Sequence, residues 1–342
     1  MFPVRVRDGT KVVLIDPLMR CFVFSAAFFF LAVHARAACV PAQEFGCVPL
    51  DLFRADGTDA RLRYAPEFRS QVTGSWRAGL DLHASWNALR IAPNNPSTVD
   101  TVDALVSERL EGALRGSVAL NPAWSLHLSA PLILAQSGRG GTGTAGSRDA
   151  HAARALGDVR VGASYNHQFS GDWSLASRLH LALPTATEGA FAGARSFSVL
   201  SDIALQRLTG NLAVYASVRS RFETATRAPY DAPTSWLGLA MGANLALVGD
   251  AFAVHAEALG YASLNQVASY AQDRTGAPRL DLVAQTWTPA LLSLGASSSG
   301  LVCRTCTLHA SAGASPGAVA SPALSALLRL EYRSQPQAVT TP

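Results

Sequence analysis

The segment WRAGLDLHASW, residues 76–86, alternates without a break. Trp76, Ala78, Leu80, Leu82, Ala84 and Trp86 share one parity, and Arg77, Gly79, Asp81, His83 and Ser85 share the other. Successive side chains of a strand point to opposite faces, so this segment is oily on one face and charged on the other. Its length constrains the fold more than its alternation does. From Trp76 to Trp86 an extended chain runs roughly 33 Å at about 3.3 Å per residue, and a tilt of about 40° projects that to roughly 25 Å. That matches the apolar band of an outer-membrane barrel, with a tryptophan in each interfacial girdle.

The rest of the chain repeats the pattern. LEGALRGSVAL sets Leu110, Leu114, Val118 and Leu120 against Arg109, Glu111, Arg115 and Ser117. WSLHLSAPLIL, DVRVGASYNHQF, WSLASRLHLAL and LAVYASVRSRF follow, with His127, Arg160, Arg178, His180, Arg219 and Arg221 on their polar parities. AFAVHAEALGYASL turns His255, Glu257 and Tyr261 one way, and in SPALSALLRLEYR Leu327, Arg329, Glu331 and Arg333 oppose Leu328, Leu330 and Tyr332. FSVLSDIALQRL and LHASAGAS are weaker examples, and a long polar loop runs from about Asn265 to Gln285. The count is about twelve strands, even as single-chain bacterial barrels require. The connections NPA, SGD, TGN and GD are short and alternate with long ones, as a barrel with tight periplasmic turns and large outer loops demands. A soluble sandwich has no reason to sort its connections by length. Pro131 and Pro184 cannot donate to a ladder, so Pro184 is expected at a strand end and Pro131 at a bulge or non-bonded position.

Composition agrees. Of 342 residues, 49% are hydrophobic and 15% charged, against about 25% charged in ordinary soluble domains. The longest apolar run, CFVFSAAFFFLAV (21–33), is shorter than the ~20 residues a spanning helix needs. It follows Met19-Arg20 and precedes Ala35 and Ala37, which reads as a signal peptide cut between Ala37 and Ala38. Asp8 and Asp16 suit a leader poorly, so Met19 stands as an alternative start. A lipoprotein site at Cys39 is the rival, disfavoured by Arg36 where a lipobox wants an aliphatic residue. The division expected is residues 1–37 presequence and signal, 38–74 a periplasmic segment or plug, 75–333 an all-β, antiparallel up-and-down transmembrane barrel, and 334–342 a periplasmic tail. The net charge of +4 is small and scattered, and no nucleic-acid surface is expected.

Export leaves Cys39, Cys47, Cys303 and Cys306 in an oxidising compartment. Two local disulfides, Cys39–Cys47 and Cys303–Cys306, are the expected pairing, with a cross-link between the two pairs as the alternative. CRTC, in a short turn with no second C-x-x-C and no βαβ pattern, reads as structural rather than as a redox or zinc motif. The Gly-rich GRGGTGTAG precedes no strand–loop–helix unit and is read as a surface loop, not a phosphate cradle.

LGDVRVGA, after the Gly-rich loop, and the strand end LALPT resemble barrels of proteobacterial, especially myxobacterial, OmpA-family and porin-like proteins. The resemblance spans roughly Leu50 to Arg333 and rests on short motifs. It implies an outer-membrane barrel of a Gram-negative bacterium, with lipid and the barrel-assembly machinery as partners. Such relatives often continue into a peptidoglycan-binding domain. Here SQPQAVTTP reads as the start of a linker with nothing after it, so wall anchoring is not expected.

The inward set is the candidate functional one: Arg77, Asp81, His83, Arg109, Glu111, Arg115, Arg160, Arg178, His180, Arg219, Arg221, His255, Glu257, Arg329 and Glu331. It could line a narrow path for small polar solutes, arginine excess favouring anions, or pair across the lumen and close a purely structural barrel. Residues 38–74 could plug either. Trp76, Trp86, Trp124, Trp173, Trp236 and Tyr332 are expected at the membrane interfaces. No catalytic residue, cofactor or metal is expected: a barrel hydrolase needs a supported Ser/His pair on the lipid-facing wall, and His255 with Glu257 supplies only two ligands.

Overall fold

In the computed structural model, the described residues are 57–58, 61–90, 104–137, 154–169, 171–186, 197–223, 235–249, 251–263, 267–272, 278–283, 290–315 and 324–334. The strands are β1 Trp76–Arg90, β2 Ala104–Ala119, β3 Trp124–Ser137, β4 Ala155–Leu156, β5 Arg160–Gln168, β6 Trp173–Ala182, β7 Ser198–Thr209 and β8 Leu212–Glu223. They continue with β9 Trp236–Val248, β10 Phe252–Ser263, β11 Val267–Gln272, β12 Pro278–Val283, β13 Ala290–Ser299, β14 Cys306–Ala314 and β15 Leu324–Arg333. Twelve of these form one closed antiparallel barrel, in which sequence neighbours pair and β1 closes on β15. Closure leaves no unpaired edge, which is what allows strands to stand in hydrocarbon. Among the described residues no helix is long and apolar enough to cross a membrane.

The short turns β2–β3, β5–β6, β7–β8, β9–β10 and β13–β14 share one end of the barrel with the start of β1 and the end of β15. The tightest joins Thr209 to Leu212 through Gly210 and Asn211, and Gly210 takes a φ of 57°. A two-residue hairpin of this kind needs positive φ, which glycine adopts without strain. Cys303 and Cys306 form a disulfide across the β13–β14 turn. Cys39, Cys47, the signal segment and the Gly-rich loop lie outside the described residues. The long loop after β10 carries a hairpin of its own, β11 with β12, in a separate two-stranded sheet. Its alternation is too short and weak to announce it in the sequence.

Pro131 sits inside β3 opposite Ala113 of β2. On the other flank the ladder stops at Ser129↔Arg160 and resumes at Leu132↔Leu156, so residues 157–159 bulge out where the proline cannot donate. The bulge is tied down by the other half of the resemblance. Val159 N–H donates to Thr185 Oγ1 (2.9 Å), the Thr185 hydroxyl to the Gly157 carbonyl (3.0 Å), and Ala186 N–H to Asp158 Oδ1 (3.1 Å). LGDVRVGA and LALPT are therefore two sides of one rim clasp.

The outer wall is apolar and exposed, with Leu80, Leu126, Leu128, Leu239, Leu292 and Leu294 among its residues. The inner wall is buried, and what buries it is residues 61–71. This stretch enters beside the short turns, where Gln71 N–H donates to the Pro122 carbonyl and Gly74 N–H to that of Ala119. It then runs up the lumen, with Leu62, Tyr64, Ala65 and Phe68 packed on Ala176, Ala204, Tyr215, Trp236, Ala240, Leu259, Tyr261 and Leu291 of the wall.

Candidate functional site: the barrel lumen

Every charged or polar residue of the inward set is buried or, for His83 and Arg115, half-buried. The pairing among them follows the strand register. Arg329 sits opposite Asp81 and grips it with two bonds, Nε to Oδ1 at 2.9 Å and Nη2 to Oδ2 at 3.1 Å, and Arg115 joins from the next strand at 3.2 Å. Asp202, which the sequence reading passed over, lies opposite both Arg178 (2.7 Å) and Arg219 (3.3 Å). Arg109 meets Glu111 on its own strand at 2.7 Å. These pairs lie along the wall, within one strand or between neighbouring strands. They do not bridge the lumen.

What crosses the lumen is the N-terminal segment, and charged wall residues hold it. Glu257 accepts the backbone N–H groups of Arg63 (2.7 Å) and Tyr64 (3.1 Å) together with the Tyr215 hydroxyl (2.5 Å). Arg329 Nη1 donates to the Leu62 carbonyl at 2.9 Å, and Arg115 donates to the Gly57 carbonyl. Arg77 pairs with Glu67 at 2.5 Å and lies 3.6 Å from Glu331. Arg63 reaches His83 at 2.8 Å, and Tyr64 stands under the guanidinium groups of Arg63 and Arg219. Glu67, Arg63 and Asp202 are the functional residues that sequence reading missed. The first two lie in a segment without periodicity, and Asp202 lies in a weakly alternating strand.

Beside the segment remains a small cavity of about 40 Å³, walled by Arg77, Asp81, Arg115, His127, Arg160 and His180, with Thr58 of the segment on the other side. His127, Ser125 and Ser164 form a hydrogen-bonded cluster there, with contacts of 2.7 to 3.1 Å. Both serines are fully buried. Among the described residues no three His, Cys, Asp or Glu side chains gather as a metal site. Glu257, weighed above as a ligand beside His255, is committed to the segment.

Among the expected interfacial aromatics, Trp76, Trp124, Trp173 and Tyr332 are exposed near the short-turn end, and Trp76 stacks at a tilt on Tyr332. Trp86 is exposed further along β1. Trp236 is a correction. It is 4% exposed and faces inward, its ring 4.2 Å from that of Tyr261. It shares parity with Gly238 and Ala240, and Gly238 leaves the space that the Tyr261 ring fills.

A closed barrel with an apolar outer wall and charged inner wall defines the class: an outer-membrane β-barrel. No family model and no curated protein matches the chain. Among solved structures it is similar to an outer membrane channel from Pseudomonas putida F1, with 12% identity, a TM-score of 0.57, and 78% of this chain and 98% of that one covered. The KdgM porin and the NanC porin align at 9% identity and TM-scores of 0.42, covering 75% and 77% of this chain and 98% of each. The first likeness is one of fold. It does not show a place among OmpA-family barrels.

Proposed function

We propose that the chain forms a narrow porin-like channel for small polar or anionic solutes, its lumen occupied by its own N-terminal segment. One observation carries this over the structural reading: among the described residues Asp81–Arg329 and Asp202–Arg178 pair sideways along the register, and it is the segment that fills the lumen. A barrel sealed for purely structural reasons would pair its charges across the lumen. The cavity lining favours anions, with Arg77, Arg115 and Arg160 against Asp81 and Glu331. Catalysis has no part in this reading. A leader ending at Ala37, a Cys39–Cys47 disulfide, delivery by the barrel-assembly machinery to a Gram-negative outer membrane and a distant kinship with OmpA-family barrels belong to the same proposal. The reversal potential of purified protein in planar bilayers under a salt gradient tests it. The expected result is a mild anion preference that Arg115→Gln and Arg160→Gln reduce, and cation preference would contradict the reading.

A further inference from the structure

The inner wall holds two histidines that the channel reading leaves unused. His255 of β10 and His309 of β14 stack face to face, ring centroids 4.7 Å apart and planes 18° from parallel. The strand between them makes room for this. Gly295 of β13 pairs with His255 and Ser311, and a side chain there would strike the His255 ring and the Ala310 carbonyl. Both imidazoles are buried, neither ring nitrogen of His255 has a hydrogen-bond partner, and His309 Nε2 meets Ser311 Oγ at 3.2 Å.

The stack lies between the two points that hold the N-terminal segment. Glu257, two residues along β10 from His255, takes the Arg63 and Tyr64 N–H groups. Arg329, the register partner of His309, donates to the Leu62 carbonyl. The groups facing the stack are Glu257 on its own strand, Asn244 of β9, Ser293 and Ser297 of β13, Ser311 of β14, Arg329 of β15 with Asp81 bound beyond it, and, from the segment, Arg63 and the backbone carbonyl of Arg61, which accepts from His309. Two neutral imidazoles stack without electrostatic repulsion. Two imidazolium ions at this separation, beside the guanidinium groups of Arg329 and Arg63, repel one another and their neighbours.

We propose that the His255–His309 stack is an acid-sensitive release for the N-terminal segment, holding it docked while both rings are neutral and expelling it when they are protonated. Two charged rings held face to face beside Arg329 repel one another, and that repulsion is relieved once the segment leaves and water fills the lumen. Docking is therefore complete above about pH 6.5 and is lost as pH falls below that value. The consequence for conduction rests on the channel reading; the release does not.

Pulsed hydrogen exchange on the full chain in lipid vesicles, with rates corrected for pH, reads the release through the amides of residues 62–68. These amides should lose at least about tenfold of their protection between pH 7.5 and pH 5.0. The His255→Gln/His309→Gln variant should keep its protection, its barrel verified by heat-modifiable migration. Should that variant not assemble, His309→Gln alone should lose clearly less protection than the wild type. Equal wild-type protection at both pH values, or the same loss in the histidine variants, overturns the proposal. Release without conductance at either pH supports the release and overturns the channel reading instead.

Discussion

The lumen wall has two arcs built by the same alternation and filled by opposite chemistry. From β6 round to β13 the inner face offers Ala176, Ala204, Ala240, Leu259 and Leu291 with Tyr215, Trp236 and Tyr261, and the segment from Leu62 to Phe68 packs on it. From β15 through β1 to β6 the inner face offers Glu331, Arg329, Arg77, Asp81, Arg115, Arg160 and His180, and the cavity lies against it. The first arc packs against the apolar side chains of the segment, and the second holds it by Arg77, Arg115 and Arg329 and also faces the residual space. The hydrophobic effect assigns the segment its side of the barrel, because small and aromatic inner residues leave water only if something apolar covers them. In the charged arc Asp81 pairs with Arg329 and Arg115 along the wall, while Arg77 pairs with Glu67 of the segment.

The largest break in this contrast is Asp81→Ala. It strips Arg329 and Arg115 of a shared carboxylate in the charged arc, and breaking a buried ion pair in this way costs roughly 3–5 kcal/mol. Denaturant unfolding in vesicles should show a loss of that size in the barrel itself. Phe68→Ala acts on the other arc, removing a buried ring worth about 3 kcal/mol of docking. Exchange at residues 62–68 should rise while heat-modifiable migration of the barrel stays unchanged. If Phe68→Ala weakened the barrel as much as Asp81→Ala, the two arcs would not be separate.

Glu67 joins the segment to the charged arc and gives a smaller effect. Burial pushes its carboxyl up, but the guanidinium groups of Arg77, Arg333 and Arg69 more than offset this and hold it below the usual carboxylate range. Its contribution to docking is thus complete above about pH 4.3 and is lost as pH falls through the lowered value. Glu67→Gln should remove about 2 kcal/mol of docking at neutral pH. It should also leave the histidine-dependent step near pH 6 in place. A variant in which that step vanished would merge two events that the structure keeps apart. The smallest effect belongs to the turn: Cys303→Ser with Cys306→Ser opens a very short loop and should cost under about 2 kcal/mol in unfolding experiments.

Much of this was legible in the sequence. Alternation gave the barrel and set apart Arg77, Asp81, Arg178 and Glu257, all of which are buried, from the exposed leucines. Period two reports which side a residue faces, however, and not what stands opposite it. Trp236 shows the limit. Its indole suggested an interface, while its parity with Gly238 and Ala240 places it inside. The occupied lumen had a signal too, in Leu259, Leu291 and Leu327 on parities otherwise polar. A water-filled barrel has no use for inward leucines. Glu67, Arg63 and the hairpin of β11 and β12 had no comparable signal, since no periodicity marks them, and the neighbours of Glu67 and Arg63 are set by barrel closure.

The central claim is that the chain's own N-terminal segment, rather than the wall, limits passage through the barrel. Single-channel conductance of the full chain, compared with a variant lacking residues 38–71, tests it most directly. The account predicts that the shortened chain assembles a heat-modifiable barrel with a several-fold larger, anion-preferring conductance. Equal conductance in the two chains, or none in the shortened one, would contradict it.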